Sequence, residues 1–197
     1  MFRMLLILAL LLPGSAAQAS ESASPHHSKY AGQQSRAIKS LSAEDIAELK
    51  RGGGWGLAKA AELNGVPGPI HLLEMKDEIG LDETQRSAIS AIYRRMKSQA
   101  IIHGERLIDL ERRLESGFRD RTITDALLRA SLSAIAETKK ELRYVHLAAH
   151  IETLKILAEK QIRTYNALRG YSNPDPCANV PKGHDAEMWR RHNGCER

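Results

Sequence analysis

Two histidines four residues apart are the first side chains in this sequence that could do chemistry together. His146 and His150 fall on one face of a predicted helix, and Leu142 and Leu154 extend the same row. Two imidazoles at this spacing can bind one metal ion. The alternative is that both are surface histidines of an amphipathic helix, or hydrogen-bond neighbours across a dimer.

Three further side chains are candidate ligands of the same ion. If the helix that carries the pair folds back antiparallel around a turn near residue 121, His146 lies opposite Met96 and its thioether. His71 precedes the long helix and can fold toward the same open end together with Glu74, Met75 or Glu78, and we take Glu74 as the candidate ligand. A mixed set of imidazole, carboxylate and thioether suits a divalent transition metal such as zinc, nickel or copper. We expect the fold not to require this metal.

The elements that position these side chains are predicted to be helices. The chain has 197 residues, of which 42% are hydrophobic and only 5% aromatic, and this favours one Ala/Leu/Glu/Arg-rich all-α domain over a β-sandwich. The predicted helices cover residues 43 to about 51, 55–64, 69–79, 83–117, 125–156 and a last segment that ends near 170. Two long helices joined by a short turn must lie antiparallel.

Apolar residues at helical spacing predict the contact between the two long helices. The first contributes Ile89, Ile92, Met96, Ala100, His103, Leu107, Leu110 and Leu114. The second is predicted to bury Leu128, Leu132, Ile135, Leu142, Val145 and Ala149. At this contact, His103 is interpreted as a core or register residue, and Gly104 as a point of close helix approach or a slight bend. The two helices alone leave an apolar stripe uncovered, which predicts a homodimer.

Catalytic motifs are missing from the sequence. It contains no nucleophile motif and no HExxH, and the three glycines at 52–54 follow no predicted strand and precede no Gly-Lys-Ser/Thr. These glycines are interpreted as a hinge. The protein is therefore predicted not to be an enzyme.

The distribution of charge argues against nucleic acid as a partner. The net charge is +5, and basic and acidic residues alternate along the chain rather than forming a basic tail. Residues 83–121 carry nine Lys/Arg against six Asp/Glu. Such a surface can attract acidic, unfolded segments at long range, or it can be an ordinary solvated helix face.

The N-terminal segment predicts export. Arg3 precedes a short apolar run, Pro13-Gly14 breaks it, and Ala17-Gln18-Ala19 offers a signal-peptidase site. We predict cleavage after Ala19, a flexible leader over residues 20–41, and a mature protein in the periplasm. An uncleaved membrane anchor is the alternative.

The two cysteines lie in the last 21 residues, in a tail predicted to be irregular over 171–197. In an oxidising compartment, Cys177 and Cys195 predict a disulfide. The alternative is a zinc site that these two thiols would form with His184 and His192.

One pentapeptide pattern, Leu-x-Glu-x-Gln, occurs twice in the sequence. Leu81-Asp-Glu-Thr-Gln85 and Leu157-Ala-Glu-Lys-Gln161 each precede a helix, and both resemble the LTxxQ motif of the Spy/CpxP periplasmic stress proteins, whose relatives include zinc-resistance-associated and heavy-metal-resistance proteins. Asp82 and Ala158 stand where the motif usually has Thr. Asp can cap a helix as Thr does, whereas Ala cannot.

The resemblance implies a helical hairpin over residues 42–170 that dimerises into a curved cradle and is not an enzyme. It implies one of three roles. Proteins of this family hold unfolded polypeptides on a concave surface, bind a divalent metal, or restrain an envelope-stress sensor kinase in the membrane. The expected partners are therefore stressed periplasmic proteins and a second copy, with regulation of a sensor kinase as the alternative function.

Overall fold

The computed structural model describes residues 28–172, 177, 180–181 and 183–195, so the predicted signal sequence lies outside the described residues. The chain divides into two units, residues 1–34 and 35–197. In the first, residues 29–32 form turns, and the 3-10 helix Gln33–Ser35 begins at its end. All the helices and sites below belong to the second unit. None of the helices in the described part of the chain has the length and apolar composition of a membrane span.

Eight α-helices follow one another in the described residues, and no strand occurs among them. They are α1 (Ala43–Lys50), α2 (Lys59–Glu62), α3 (Pro69–Glu74), α4 (Lys76–Ile79), α5 (Glu83–Arg119), α6 (Asp125–Leu154), α7 (Glu159–Leu168) and α8 (Ala186–His192). The predicted all-α class and the long helix pair α5–α6 are confirmed. Ion pairs Arg95–Glu152 and Glu111–Lys139 link α5 to α6 in antiparallel register.

The long helices begin where their capping residues predict. Asp82 accepts a hydrogen bond from the Gln85 amide (2.8 Å), and the Gln85 side chain accepts one from the Asp82 amide (3.1 Å), which completes a capping box. Thr124 caps α6 by accepting from the Leu127 amide. Ala158 lacks a side-chain acceptor, so at α7 only the bond from its own N–H to Gln161 forms.

Several predicted boundaries are wrong. The helix predicted over 69–79 divides at Met75, whose ψ of 25° leaves the helical region, and the one predicted over 55–64 keeps only its last turn as α2. The tail contains α8, because Asp185 accepts from the Met188 amide and caps it. Leu132, predicted to be buried, is 50% exposed.

The predicted flexible leader extends too far, since its last residues belong to the core. Ile38 and Leu41 are 2% and 4% exposed. Ser40 donates to Glu111 (2.9 Å), a buried carboxylate that also pairs with Lys139 (3.2 Å). The packed unit therefore begins before residue 42.

Two hydrophobic clusters hold the helices together. One joins the residues before α1, α1 itself, α5 and α6, and the other joins α3, α4, α5 and α7; the second consists of Leu72, Ile79, Leu81, Ile89 and Tyr165. Gly104 is a point of close helix approach, and the helix that approaches α5 there is α1 rather than the second long helix. A Cβ at this glycine would lie 2.5 Å from the Leu49 carbonyl oxygen.

Candidate functional site

A cavity of about 360 Å³ lies where the turn after α1, the start of α3, and the helices α5 and α6 meet. Its walls include the glycine-rich turn 51–56, residues 68–71, Tyr93, Met96, Lys97, His146 and His150. Four of the five predicted metal ligands, namely His71, Met96, His146 and His150, therefore line one cavity. The antiparallel register of α5 and α6 brings Met96 to the histidine pair, as the sequence predicts.

His150 is held in one tautomer by the loop before α3. Its Nδ1 donates to the Val66 carbonyl (2.8 Å), so in the neutral ring Nε2 carries the lone pair. Gly68 packs directly against that edge of the ring, where a Cβ would lie 2.7 Å from Nε2. A backbone carbonyl that accepts from the other ring nitrogen is the usual support of a histidine that ligates a metal.

His146 is buried, with 4% of its surface exposed. Burial lowers its pKa, the nearby His150 lowers it further, and Glu48 opposes the change. The imidazole is therefore neutral at neutral pH, the protonation state that a metal requires. Its buried Nε2 has no hydrogen-bond partner among the described residues, and this orphaned polar atom fits a site that a ligand completes.

The remaining predicted ligands are placed differently. His71 lines the cavity, but its Nδ1 contacts Glu74 at 2.7 Å. Glu74 lies on the exposed side of α3 and not among the lining residues. Within the described residues, no group of three or more His, Cys, Asp or Glu is arranged to hold a metal ion. The chain thus presents an imidazole pair with a thioether in the same cavity, rather than the carboxylate-containing set predicted.

The acidic side chain in the cavity wall is already engaged. Glu62 accepts from Tyr165 (2.8 Å), Tyr171 (3.0 Å) and Arg169 (3.0 Å). Tyr165 is fully buried, and both burial and the Glu62 carboxylate raise its pKa, so the phenol stays protonated as a donor. This network joins α2 to α7 through the Oε1 atom of Glu62.

Sequence reasoning missed the loop and the lysine that complete the cavity. The Val66-Pro67-Gly68 loop docks on α6, where its carbonyls accept from His150 and Thr153. Lys97 lies one residue after Met96 and over the Tyr93 ring, 5.7 Å from its centroid. Because Lys97 is next to the predicted ligand Met96, its place in the cavity could have been predicted from the sequence. The loop contacts span more than 80 residues, so no local sequence pattern predicts them.

The other predicted site residues lie elsewhere. Cys177 and Cys195 form a disulfide, with a Cα–Cα distance of 5.5 Å, so their sulfurs do not form the alternative zinc site. His103 is half-buried on α5 and is not among the residues that line the cavity. Gly52 forms a turn at the end of α1 with a φ of +65° and packs against the α5 backbone.

No protein-family model, curated protein or solved structure with significant similarity to this chain was found. The resemblance to the Spy/CpxP proteins therefore stays a prediction that rests on the two pentapeptides. The function has to be argued from the cavity and the exposed surfaces.

Proposed function

We propose that this chain is an exported, non-enzymatic metal-resistance or stress protein that binds a divalent transition metal through His146 and His150. The observation that carries the proposal is the shared cavity of the two imidazoles, one oriented by a backbone carbonyl and one with an orphaned buried nitrogen. His71 and Met96 line the same cavity and can add donors. The predicted signal sequence and the two LTxxQ-like pentapeptides support the periplasm as the site of action.

Titration calorimetry of the metal-free mature protein with zinc, nickel and copper tests this proposal. We expect stoichiometric binding that weakens as pH falls below about 6.5, the value of an unperturbed imidazole, because the proton and the ion compete for the same lone pair and burial holds the pKa of His146 below that value. The double variant His146→Ala/His150→Ala should lose this binding while its circular dichroism keeps the helical signal. His103→Ala, a histidine on the neighbouring helix outside the cavity, is the matched control and should bind as the wild type does. Unchanged affinity in the double variant would contradict the proposal.

A second candidate function, holding unfolded polypeptides, is favoured by an exposed apolar stripe on α6. Tyr144 and Ile151 are 64% and 59% exposed, and Ala148 lies between them at helical spacing. Ile92 and Ile156 border the same shallow groove. A monomer rarely leaves such a row uncovered without a use for it. We propose that this stripe serves a second copy, a client, or both in turn.

Suppression of aggregation separates this candidate from a purely regulatory role. A holding chaperone should keep a denatured client soluble at near-stoichiometric amounts without ATP. Tyr144→Ser should weaken that protection and leave metal binding unchanged, since this tyrosine is not among the residues that line the metal cavity. Complete inactivity of the wild type would reject the chaperone function and favour the accessory of a sensor kinase.

A further inference from the structure

The cavity around His146 and His150 is larger than a bare metal ion requires, and its lining carries more positive charge than suits a bare cation. We propose that it takes the metal as a complex with a small anionic chelator of the amino- or hydroxycarboxylate class. This inference rests on the proposed metal-binding function, because the same two imidazoles bind the ion. The inference adds that the chelator supplies the remaining ligands of the metal.

The first argument is the number of donors. Zinc takes four ligands in structural sites, and catalytic sites that supply fewer protein ligands leave a position to an outside molecule. Here His146 has a buried Nε2 without a partner among the described residues, and the bond from Nδ1 of His150 to Val66 leaves the lone pair of the neutral ring on Nε2. Glu62 is engaged by two tyrosines and an arginine, and Glu74 is absent from the lining. The described side chains therefore leave coordination positions for ligands that arrive with the metal.

The second argument is volume. A cavity of about 360 Å³ falls within the range of small-molecule pockets. At about 30 Å³ per water-sized group, it has room for about 12 such groups. A bare ion would leave most of this space to solvent, whereas an ion wrapped by a tricarboxylate would fill it.

The third argument is charge. Arg51 pairs with Glu48, and Arg169 pairs with Glu62. Lys59 and Lys97 also line the cavity, and neither has an ion pair with a carboxylate among the described residues. Two uncompensated ammonium groups repel a bare dication and attract an anion. A divalent ion held by three carboxylates carries one negative charge, which matches this field.

Lys97 is the side chain best placed to recognise the anionic part of the complex. It lies on α5 one residue after Met96, is half-buried, and its ammonium group is held over the Tyr93 ring. Lys59 is exposed at the rim. The imidazoles are thus assigned to the metal, and Lys97 to a carboxylate of the chelator.

Titration calorimetry with three probes tests the inference on the mature protein, purified without a histidine tag. The probes are nickel ion alone, nickel nitrilotriacetate and nitrilotriacetate alone, all near neutral pH. Nickel nitrilotriacetate is suitable because the chelator occupies four of six octahedral positions and leaves two for imidazoles. We expect it to bind at least tenfold more tightly than nickel alone, and the free chelator to bind at least a hundredfold more weakly than its nickel complex.

Variants assign the two parts of the complex. Lys97→Met should weaken binding of the nickel chelate about tenfold without weakening binding of nickel alone, and Lys155→Met, an exposed lysine at the C-cap of α6 and outside the cavity, should change neither. His150→Ala should abolish both. If loss of the Val66 contact unfolds that variant, Gly68→Ala is the second variant, which retains both histidines and places a methyl group 2.7 Å from the Nε2 of His150, with the same expected loss.

The outcomes separate the inference from the proposed function. Nickel alone binding as tightly as its chelate, or no effect of Lys97→Met on the chelate, would overturn the inference and leave metal binding intact. Absence of binding by both nickel and its chelate would overturn both. Binding of nitrilotriacetate alone as tightly as its nickel complex would identify an anion site and would overturn the inference, while the titration with nickel alone still decides the proposed function.

Discussion

The side-chain amides of Gln85 and Gln161 bind each other in both directions. Each NH₂ group donates to the other's oxygen at 2.9 Å. Each oxygen also accepts from the N-cap amide of its own helix, Asp82 or Ala158. The second N–H of each amide binds a loop carbonyl, Ile156 for Gln85 and Gly80 for Gln161. The glutamine that ends each pentapeptide thus caps the start of its own helix and also binds the start of the other helix.

Replacing Gln161 with Met should therefore destabilise the fold by more than one lost capping bond. The variant keeps the side-chain length but leaves the partners of a part-buried amide unpaired, which costs about 1–3 kcal/mol. Urea unfolding measures this change. The double variant with Gln85→Met should cost less than the sum of the single variants, because both remove the same pair. Gln99→Met, an exposed glutamine of α5, is the control; equal effects at 99 and 161 would contradict this account.

The pentapeptides show what a sequence can and cannot predict. The capping bond between Asp82 and Gln85 spans three residues and is visible as a local pattern. The bond between Gln85 and Gln161 spans 76 residues, and only the packing of α4 and α7 brings the two ends together. The histidine pair was predictable for the same reason as the cap, and the Val66 carbonyl that orients His150 was not.

Gly104 should tolerate no larger residue. A methyl group there would lie 2.5 Å from the Leu49 carbonyl oxygen, so Gly104→Ala must push α1 off α5, and overpacking of this kind costs about 1–3 kcal/mol. Gly117→Ala in the same helix is the matched control. Its methyl would meet only the flexible end of Ile123 at 3.3 Å, and the better helix propensity of Ala should offset that contact or stabilise the protein by up to about 1 kcal/mol. Thermal unfolding should give Gly104→Ala a lower melting temperature than the wild type, and Gly117→Ala a melting temperature equal to or above that of the wild type.

Asp45 should give the fold an acid-sensitive component. The carboxylate accepts from the Trp55 indole (2.8 Å) and from the Ser42 amide (2.9 Å), and these bonds lower its pKa. A lowered folded-state pKa means that the stabilisation is present above the unfolded value of about 3.9 and is lost as pH falls through the folded value. Asp45→Asn should remove this part of the pH dependence and cost about 1 kcal/mol at neutral pH.

Urea unfolding at several acidic pH values, followed by tryptophan fluorescence, measures the contribution of Asp45. Glu44→Gln, its exposed neighbour in the first turn of α1, should retain the wild-type slope of stability against pH. A wild-type slope in Asp45→Asn would show that the indole bond does not favour the ionised carboxylate.

Ile151 should decide whether the proposed dimer forms through α6. Its side chain is 59% exposed and shares a shallow groove with Ile92, Tyr144 and Ile156. A second copy that covers this groove would bury it, so Ile151→Lys would place an ammonium group in an apolar interface and should convert a dimer to a monomer in light scattering at micromolar concentration. Because the residue is exposed in the single chain, the stability of the monomer should change by no more than about 0.5 kcal/mol. Leu127→Lys, with 55% exposure at the other end of α6, should leave the mass unchanged. A wild-type monomer would reject the dimer, and a dimer that persists in Ile151→Lys would place its interface elsewhere.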